Sequence, residues 1–299
     1  MVNTADASAA SKPATTQAAP DGVFEDESMA EKAGDAAERP AGPLRVGVMI
    51  SHFTATGPRW EGKPYGYAHA AITKNLTSPS MTLVAIVEPG SEDDPAFVEA
   101  LKANFPEDVD VERVNAHDAA ALSGLDVIVA NRVPNLTPEA IGAIHEAVQG
   151  GTSLFIGQTF GTVTPGYPAD PRLADLLGMD SPTYAYDRRE SVVEVVGGDD
   201  PLLEGVEGLD DEWKANPNGA MGEPRQNVAI VLKVQSTDTI NNKSDDAVGE
   251  MYVLYAHRFG KGGIVVQNCK TMPEPLSQLP EDDNLYLRCV RRAAGLRQK

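Results

Sequence analysis

The sequence predicts an α/β protein: a mainly parallel sheet, doubly wound in the flavodoxin-like manner, with helices on both faces and edge strands added in the C-terminal half. Three observations carry this expectation. From Leu44 onward, short apolar runs alternate with helical stretches, the pattern of βαβ units whose strands are buried on both faces. With 41% hydrophobic residues in 299, the chain has apolar surface enough for a large core. The late runs, rich in Val, Ile and Tyr, have no crossover helix between Asn227 and Gln267, so some of them are expected to pair antiparallel at the edge of the main sheet.

Residues 1–42 are rich in Ala, Ser, Thr, Pro and acidic residues, with Phe24 as the only aromatic. Such a segment buries too little surface to offset its ordering entropy, so it reads as a disordered acidic tail ahead of one domain, residues 43–299. A short helix around Phe24 to Ala37 is its one structured candidate. The strands of the first half are Leu44 to Ile50, Thr82 to Glu88, Leu125 to Asn131 and Thr152 to Gly157, with a weaker edge strand at Val109 to Val114. Between them lie helices at Tyr67 to Asn75, Pro95 to Asn104 and Pro138 to Gln149. The last has Thr137 as N-cap, Pro138 at its first position and Gly150-Gly151 as its stop, with Ile141, Ile144, Ala147 and Val148 on one face. The second half holds strands at Ser191 to Val196, Asn227 to Val234, Met251 to Phe259 and Gly263 to Gln267, then a closing helix from Asp282 to Leu296.

A net charge of −19 repels a phosphate backbone, so no nucleic-acid partner is expected. The one dense basic cluster, Arg288, Arg291, Arg292, Arg297 and Lys299, has the spacing of the solvated face of a last helix. No apolar run approaches the roughly 20 residues that span a bilayer, and the N-terminus lacks the basic head and apolar stretch of a secretory signal. No membrane partner and a cytoplasmic location follow as expectations. Cys269 and Cys289 offer neither metal spacing nor a disulfide framework and are expected to be buried thiols. The five histidines, His52, His69, His117, His145 and His257, show no zinc spacing, so neither metal nor cofactor is expected.

Ligands of open α/β sheets bind beyond the carboxyl ends of the strands. That rule selects His52, Thr54 and Arg59 after the first strand, Glu88 after the second, Asn131 and Arg132 after the third, Gln158 and Thr159 after the fourth, and Asn268 and Lys270 after the last. The loop from Ser51 to Tyr67 mixes glycines, aromatics and polar groups. Trp60, Tyr65 and Tyr67 could stack on a sugar while Arg59 and Lys63 donate hydrogen bonds, or the aromatics could simply cover a sheet edge. His52, at a strand end, is the functional candidate among the histidines; His69 and His145 fall on helices and read as ordinary. Gly157-Gln-Thr-Phe-Gly161 has the outline of a nucleophile elbow with Thr159 at its centre. A threonine hydroxyl is a poor nucleophile without a base, and no histidine is near in sequence, so a tight turn is the plainer reading.

Several pieces carry a family resemblance: Gly124 to Ala140 (GLDVIVANRVPNLTPEA), Gly150 to Gly157 (GGTSLFIG), Asp170 to Gly178 (DPRLADLLG), Asp200 to Val206 (DPLLEGV) and Gly260 to Val266 (GKGGIVV). Together they resemble class I glutamine amidotransferase-like domains, nearest to ThuA-like (trehalose-utilisation) proteins and the trimerisation domain of certain β-galactosidases. In glutaminases of that superfamily the resemblance implies a cysteine at the elbow supported by a His-x-Glu pair. Here Thr159 stands at the elbow position, Cys269 falls on another strand, and Pro273-Glu274 follows without a histidine, so glutamine hydrolysis is not expected. The resemblance implies a non-catalytic domain that binds a carbohydrate-related small molecule or mediates assembly. Two alternatives stay open: a hydrolase or isomerase of a sugar derivative with His52 or Glu88 as acid or base, and a structural module forming a homo-oligomer.

Overall fold

The computed structural model of the protein describes residues 42–50, 59–60, 63–64, 72–90, 95–105, 111–134, 136–161, 170–186, 190–209, 211–236 and 249–298. The expected tail and its short helix, the start of the expected helix at Tyr67, and His52, Thr54, Tyr65 and His69 lie outside these residues. Of the Tyr67 to Asn75 helix, only a 3-10 turn, Thr73–Asn75, is described.

Fourteen strands are described in chain order: β1 Leu44–Met49, β2 Arg59–Trp60, β3 Lys63–Pro64, β4 Met81–Val87, β5 Arg113–Asn115, β6 Val127–Asn131, β7 Ser153–Gly157, β8 Met179–Tyr186, β9 Ser191–Val195, β10 Lys214–Pro224, β11 Ala229–Ser236, β12 Gly249–Phe259, β13 Gly262–Gln267 and β14 Cys269–Thr271. The helices are α1 Pro95–Asn104, α2 Ala119–Ser123, α3 Pro138–Gly150, α4 Pro171–Leu177, α5 Glu274–Ser277 and α6 Leu285–Leu296. Twelve strands form one mixed sheet in the order β14-β10-β9-β11-β12-β13-β7-β6-β1-β4-β5, with β8 on β10; β2 and β3 pair separately. The strands from β13 to β5 are parallel, and β13, β12, β11 and β9 are joined antiparallel as their run without a crossover helix requires.

Alternation along the parallel strands builds two cores. On one face Val46, Val48, Val127, Val129, Phe155 and Val265 pack with Phe97 and Leu101 of α1 and with Leu287, Val290 and Ala293 of α6. On the other, Ile86, Ile128, Leu154, Ile156 and Ile264 pack with Ile141, Ile144 and Val148 of α3 and Leu173 and Leu176 of α4. Helix α3 begins as the sequence implies: Thr137 accepts a hydrogen bond from the Ala140 amide, and Pro138 takes the first turn, where no amide donor is needed. It ends at Gly151, whose φ of 127° suits a residue without a Cβ.

The arginines of α6 correct the expectation of a solvated face. Arg288 donates from Nε and Nη2 to the one oxygen Asp283 Oδ2 and from Nη1 to the carbonyls of Leu202 and Glu204, with only 11% of its side chain exposed. Arg291 pairs with Asp283, Arg292 with Asp200 at 2.8 Å and Arg297 with Asp126 at 2.9 Å. Asp200 also caps the 3-10 turn Pro201–Leu203 through the Leu202 amide, so one carboxylate fastens that turn to α6. These cations act inside the fold because each meets a carboxylate or a row of carbonyls.

Candidate functional site

At the carboxyl ends of the parallel strands, Gly157 of β7 stands in register with Asn131 of β6 on one side and Gln267 of β13 on the other. Residues in register across parallel strands direct their side chains to the same face, so two amides flank a position that has none. A Cβ on Gly157 would collide with Asn131 Oδ1. Gln267 is 3% exposed; its Nε2 donates to the Cys269 carbonyl at 2.8 Å, while its Oε1 has no hydrogen-bond partner among the described residues. Asn131 Oδ1 is likewise buried and without a partner there. Each such acceptor costs about 1–3 kcal/mol until a donor reaches it.

The next residues turn the chain out of the sheet with left-handed backbones: Arg132 at φ 55° and Gln158 at φ 53°. Residues with a Cβ are held in that region at a cost of about 1–3 kcal/mol each, and such strain gathers at functional sites. Both turns are fixed by neighbouring strand ends, the Arg132 amide donating to the Gly157 carbonyl at 2.7 Å and the Gln158 amide to the Gln267 carbonyl at 2.8 Å. Their side chains meet where Arg132 Nε donates to Gln158 Oε1 at 3.2 Å. The left-handed residue of the elbow is thus Gln158, one position before Thr159, which is buried. Tyr286, in the first turn of α6, packs edge-on to Phe155 at 5.9 Å; burial raises its phenol pKa, and the positive charge of Arg132 opposes that rise.

Asn131, Arg132 and Gln158 are therefore brought together at adjacent strand ends, as the sequence places them. Asn268 is not part of this group: its Nδ2 donates to the carbonyls of Ala220 and Tyr252, tying β10 to β12. Arg59 and Trp60 form β2, opposite Pro64 and Lys63.

Glu88, just past β4, belongs to a second group, with a residue that sequence reasoning left aside. His117 follows β5 at the same end of the sheet, its Nε2 2.9 Å from Thr137 Oγ1 and 3.4 Å from Glu88 Oε1. Thr137 closes the segment that begins at Arg132, so residues 132–137 lead from one group to the other. His117 also lines an open depression of about 460 Å³ with Pro138, Glu139, Gly142, Ala143 and Arg172.

Other perturbed groups serve the framework. Cys269 and Cys289 are fully buried, and burial pushes both thiols well above the usual range, away from the thiolate form. His257 is pushed down to about 4 by burial; its Nε2 lies 3.2 Å from the Leu176 carbonyl, and Tyr255 Oη donates to the Leu177 carbonyl at 3.1 Å, so both serve the C-terminus of α4. Among the described residues, no group of three His, Cys, Asp or Glu side chains could hold a metal, and no helix is long and apolar enough to cross a membrane.

No family model matches the chain, and no curated protein matches it. Among solved structures it is similar to a ThuA-like protein from Bacteroides uniformis ATCC 8492, with 12% identity over 87% of this chain and 95% of that one and a TM-score of 0.51. It is also similar to a ThuA-like protein from Parabacteroides merdae ATCC 43184, with 13% identity over 84% and 90% and a TM-score of 0.51. A β-galactosidase from Rahnella sp. R3 shares 14% identity over 85% of this chain but only 31% of that longer enzyme, at a TM-score of 0.41. At these identities the likeness speaks of fold alone: this chain shares its overall fold with these two proteins.

Proposed function

We propose that residues 43–299 form one ThuA-like domain that binds a small carbohydrate-related molecule at the strand ends and does not hydrolyse glutamine. Without the edge strand β5, the parallel strands run β4-β1-β6-β7-β13, which supports a flavodoxin-like arrangement with its ligand site beyond the carboxyl ends. The observation that carries the reading is the pair of buried acceptors, Asn131 Oδ1 and Gln267 Oε1, on either side of Gly157. Neutral acceptors call for neutral donors, and a polyhydroxylated molecule presents several hydroxyl hydrogens at close spacing. Arg132 and Gln158, held in strained turns, bring a guanidinium and an amide to the same strand ends. The buried thiols support the absence of glutaminase chemistry, since neither is poised as a thiolate.

The test is a thermal-shift screen of the protein against sugars, sugar phosphates and amino acids. A ligand at a hundred times its Kd stabilises by about 2.7 kcal/mol, a shift of several degrees. A sugar-class hit that disappears in Gln158→Ala and Gln267→Leu is the expected result. A hit unchanged in both variants would place the site elsewhere. Silence across the screen, with light scattering showing a stable oligomer, would favour the assembly role instead.

A further inference from the structure

We infer that Glu88 and His117 form an acid–base pair that hydrolyses an acyl ester held in the depression at the start of α3. The inference uses none of the strand-end amides and is independent of the binding reading. His117 is anchored through Nε2, which faces Thr137 Oγ1 at 2.9 Å and Glu88 Oε1 at 3.4 Å. Its Nδ1 has no hydrogen-bond partner among the described residues. Glu88 is 12% exposed and His117 27% exposed, so the carboxylate is shielded behind an imidazole that reaches solvent. That is the order needed for a base oriented by a third group, with one ring nitrogen held and the other available.

The depression beside His117 is lined by Pro138, Gly142 and Ala143 together with the charged side chains of Glu139, Glu146 and Arg172. It opens at the first turn of α3, a helix of 13 residues. Thr137 Oγ1 accepts from the Ala140 amide, and Pro138 has no amide hydrogen, which leaves the Glu139 amide as the first-turn donor for a developing oxyanion. In the step assigned here, a water oxygen bonds to the acyl carbon as His117 Nδ1 takes the water proton. The resulting imidazolium is stabilised through Nε2–H by the Glu88 carboxylate, 3.4 Å away. As the acyl–oxygen bond breaks, the same proton passes from Nδ1 to the departing alkoxide, giving acid and alcohol with no reagent other than water.

The experiment is hydrolysis of p-nitrophenyl acetate by the full protein, followed as p-nitrophenolate release, with His117→Asn and Glu88→Gln as variants and melting curves confirming that each is folded. The expected result is a saturable rate that falls by about 100-fold in His117→Asn. Glu88, as a positioning residue, affects the chemical step: Glu88→Gln lowers kcat by at least about tenfold and leaves KM unchanged. A wild-type rate no greater than that of His117→Asn overturns the proposal, as does a Glu88→Gln variant with unchanged kcat. Because the probe carries no polyol, failure here and failure of the sugar screen are separate results.

Discussion

Asn131 occupies the room that a side chain on Gly157 would need: the two stand in register on β6 and β7, and a methyl at Gly157 would collide with Asn131 Oδ1. Gly157→Ala is therefore expected to destabilise the protein by about 1–3 kcal/mol, because Asn131 must leave its position or the strands must separate. Urea unfolding measures the loss. The same variant is expected to abolish any sugar-induced thermal shift; a full shift in a folded Gly157→Ala protein would move the ligand away from these strand ends.

The buried imidazole of His257 sets a pH dependence. Its ordinary pKa of 6.5 falls to about 4 in the fold, chiefly through burial, so between these values the unfolded chain binds the proton and the native one does not. Stability is full above pH 6.5 and declines as the pH falls towards 4, by about 3 kcal/mol in all. Asp170 and Asp175 act in a separate window. Asp170 is held below its ordinary 3.8 by hydrogen bonds from Arg172. Burial opposes ionisation of Asp175, but Arg225 and His145 outweigh it and leave its pKa lowered too. Their contributions are present above pH 3.8 and disappear only at lower pH. Denaturation curves at pH 7, 5.5 and 4.5 should show the first decline in the wild type and a flatter profile in His257→Asn.

Asp200 holds two elements at once, capping Pro201–Leu203 and pairing with Arg292, and its side chain is 8% exposed. Asp200→Ala leaves a half-buried guanidinium without its carboxylate and an amide without its cap, so a loss of about 3–5 kcal/mol is expected. Differential scanning calorimetry would read this as a drop in Tm. A Tm within one degree of wild type would mean that Arg292 contributes little to the attachment of α6.

Neither cysteine should react in the folded state. With both thiols buried and their pKa values raised, Ellman's reagent is expected to find none in the native protein and two after denaturation. Rapid labelling of one thiol under native conditions would contradict the packing around α6 or β14.

The parallel strands and the paired late strands were legible because apolar runs such as VGVM within β1 and GGIVVQ in β13 are buried, a requirement visible residue by residue. Strand β10 was not, since KANPNGAMGEP carries two prolines, two glycines and no β-branched residue. Its pairing with β8 and with β14 is imposed by partners distant in sequence. The strand-end rule selected Asn131, Arg132, Gln158 and Glu88, because it depends only on where strands stop. It passed over Gln267, taken as the last residue of its strand, and His117, which follows a three-residue strand too short to mark its own end. The α6 arginines were misplaced for a related reason: helical spacing shows which positions share a face but not whether carboxylates such as Asp200 and Asp126 wait opposite.

The covering of β6 and β7 by α6 bears on how the chain must be made. Val127, Val129 and Phe155 are complete long before Leu287, Val290 and Ala293, which share their core, are joined to the chain. At translation speeds of about 5–20 residues per second, that face of the young sheet stays bare for roughly ten seconds. Until then the strip is open to aggregation, and it is covered by a helix whose arginines already have their carboxylates in place.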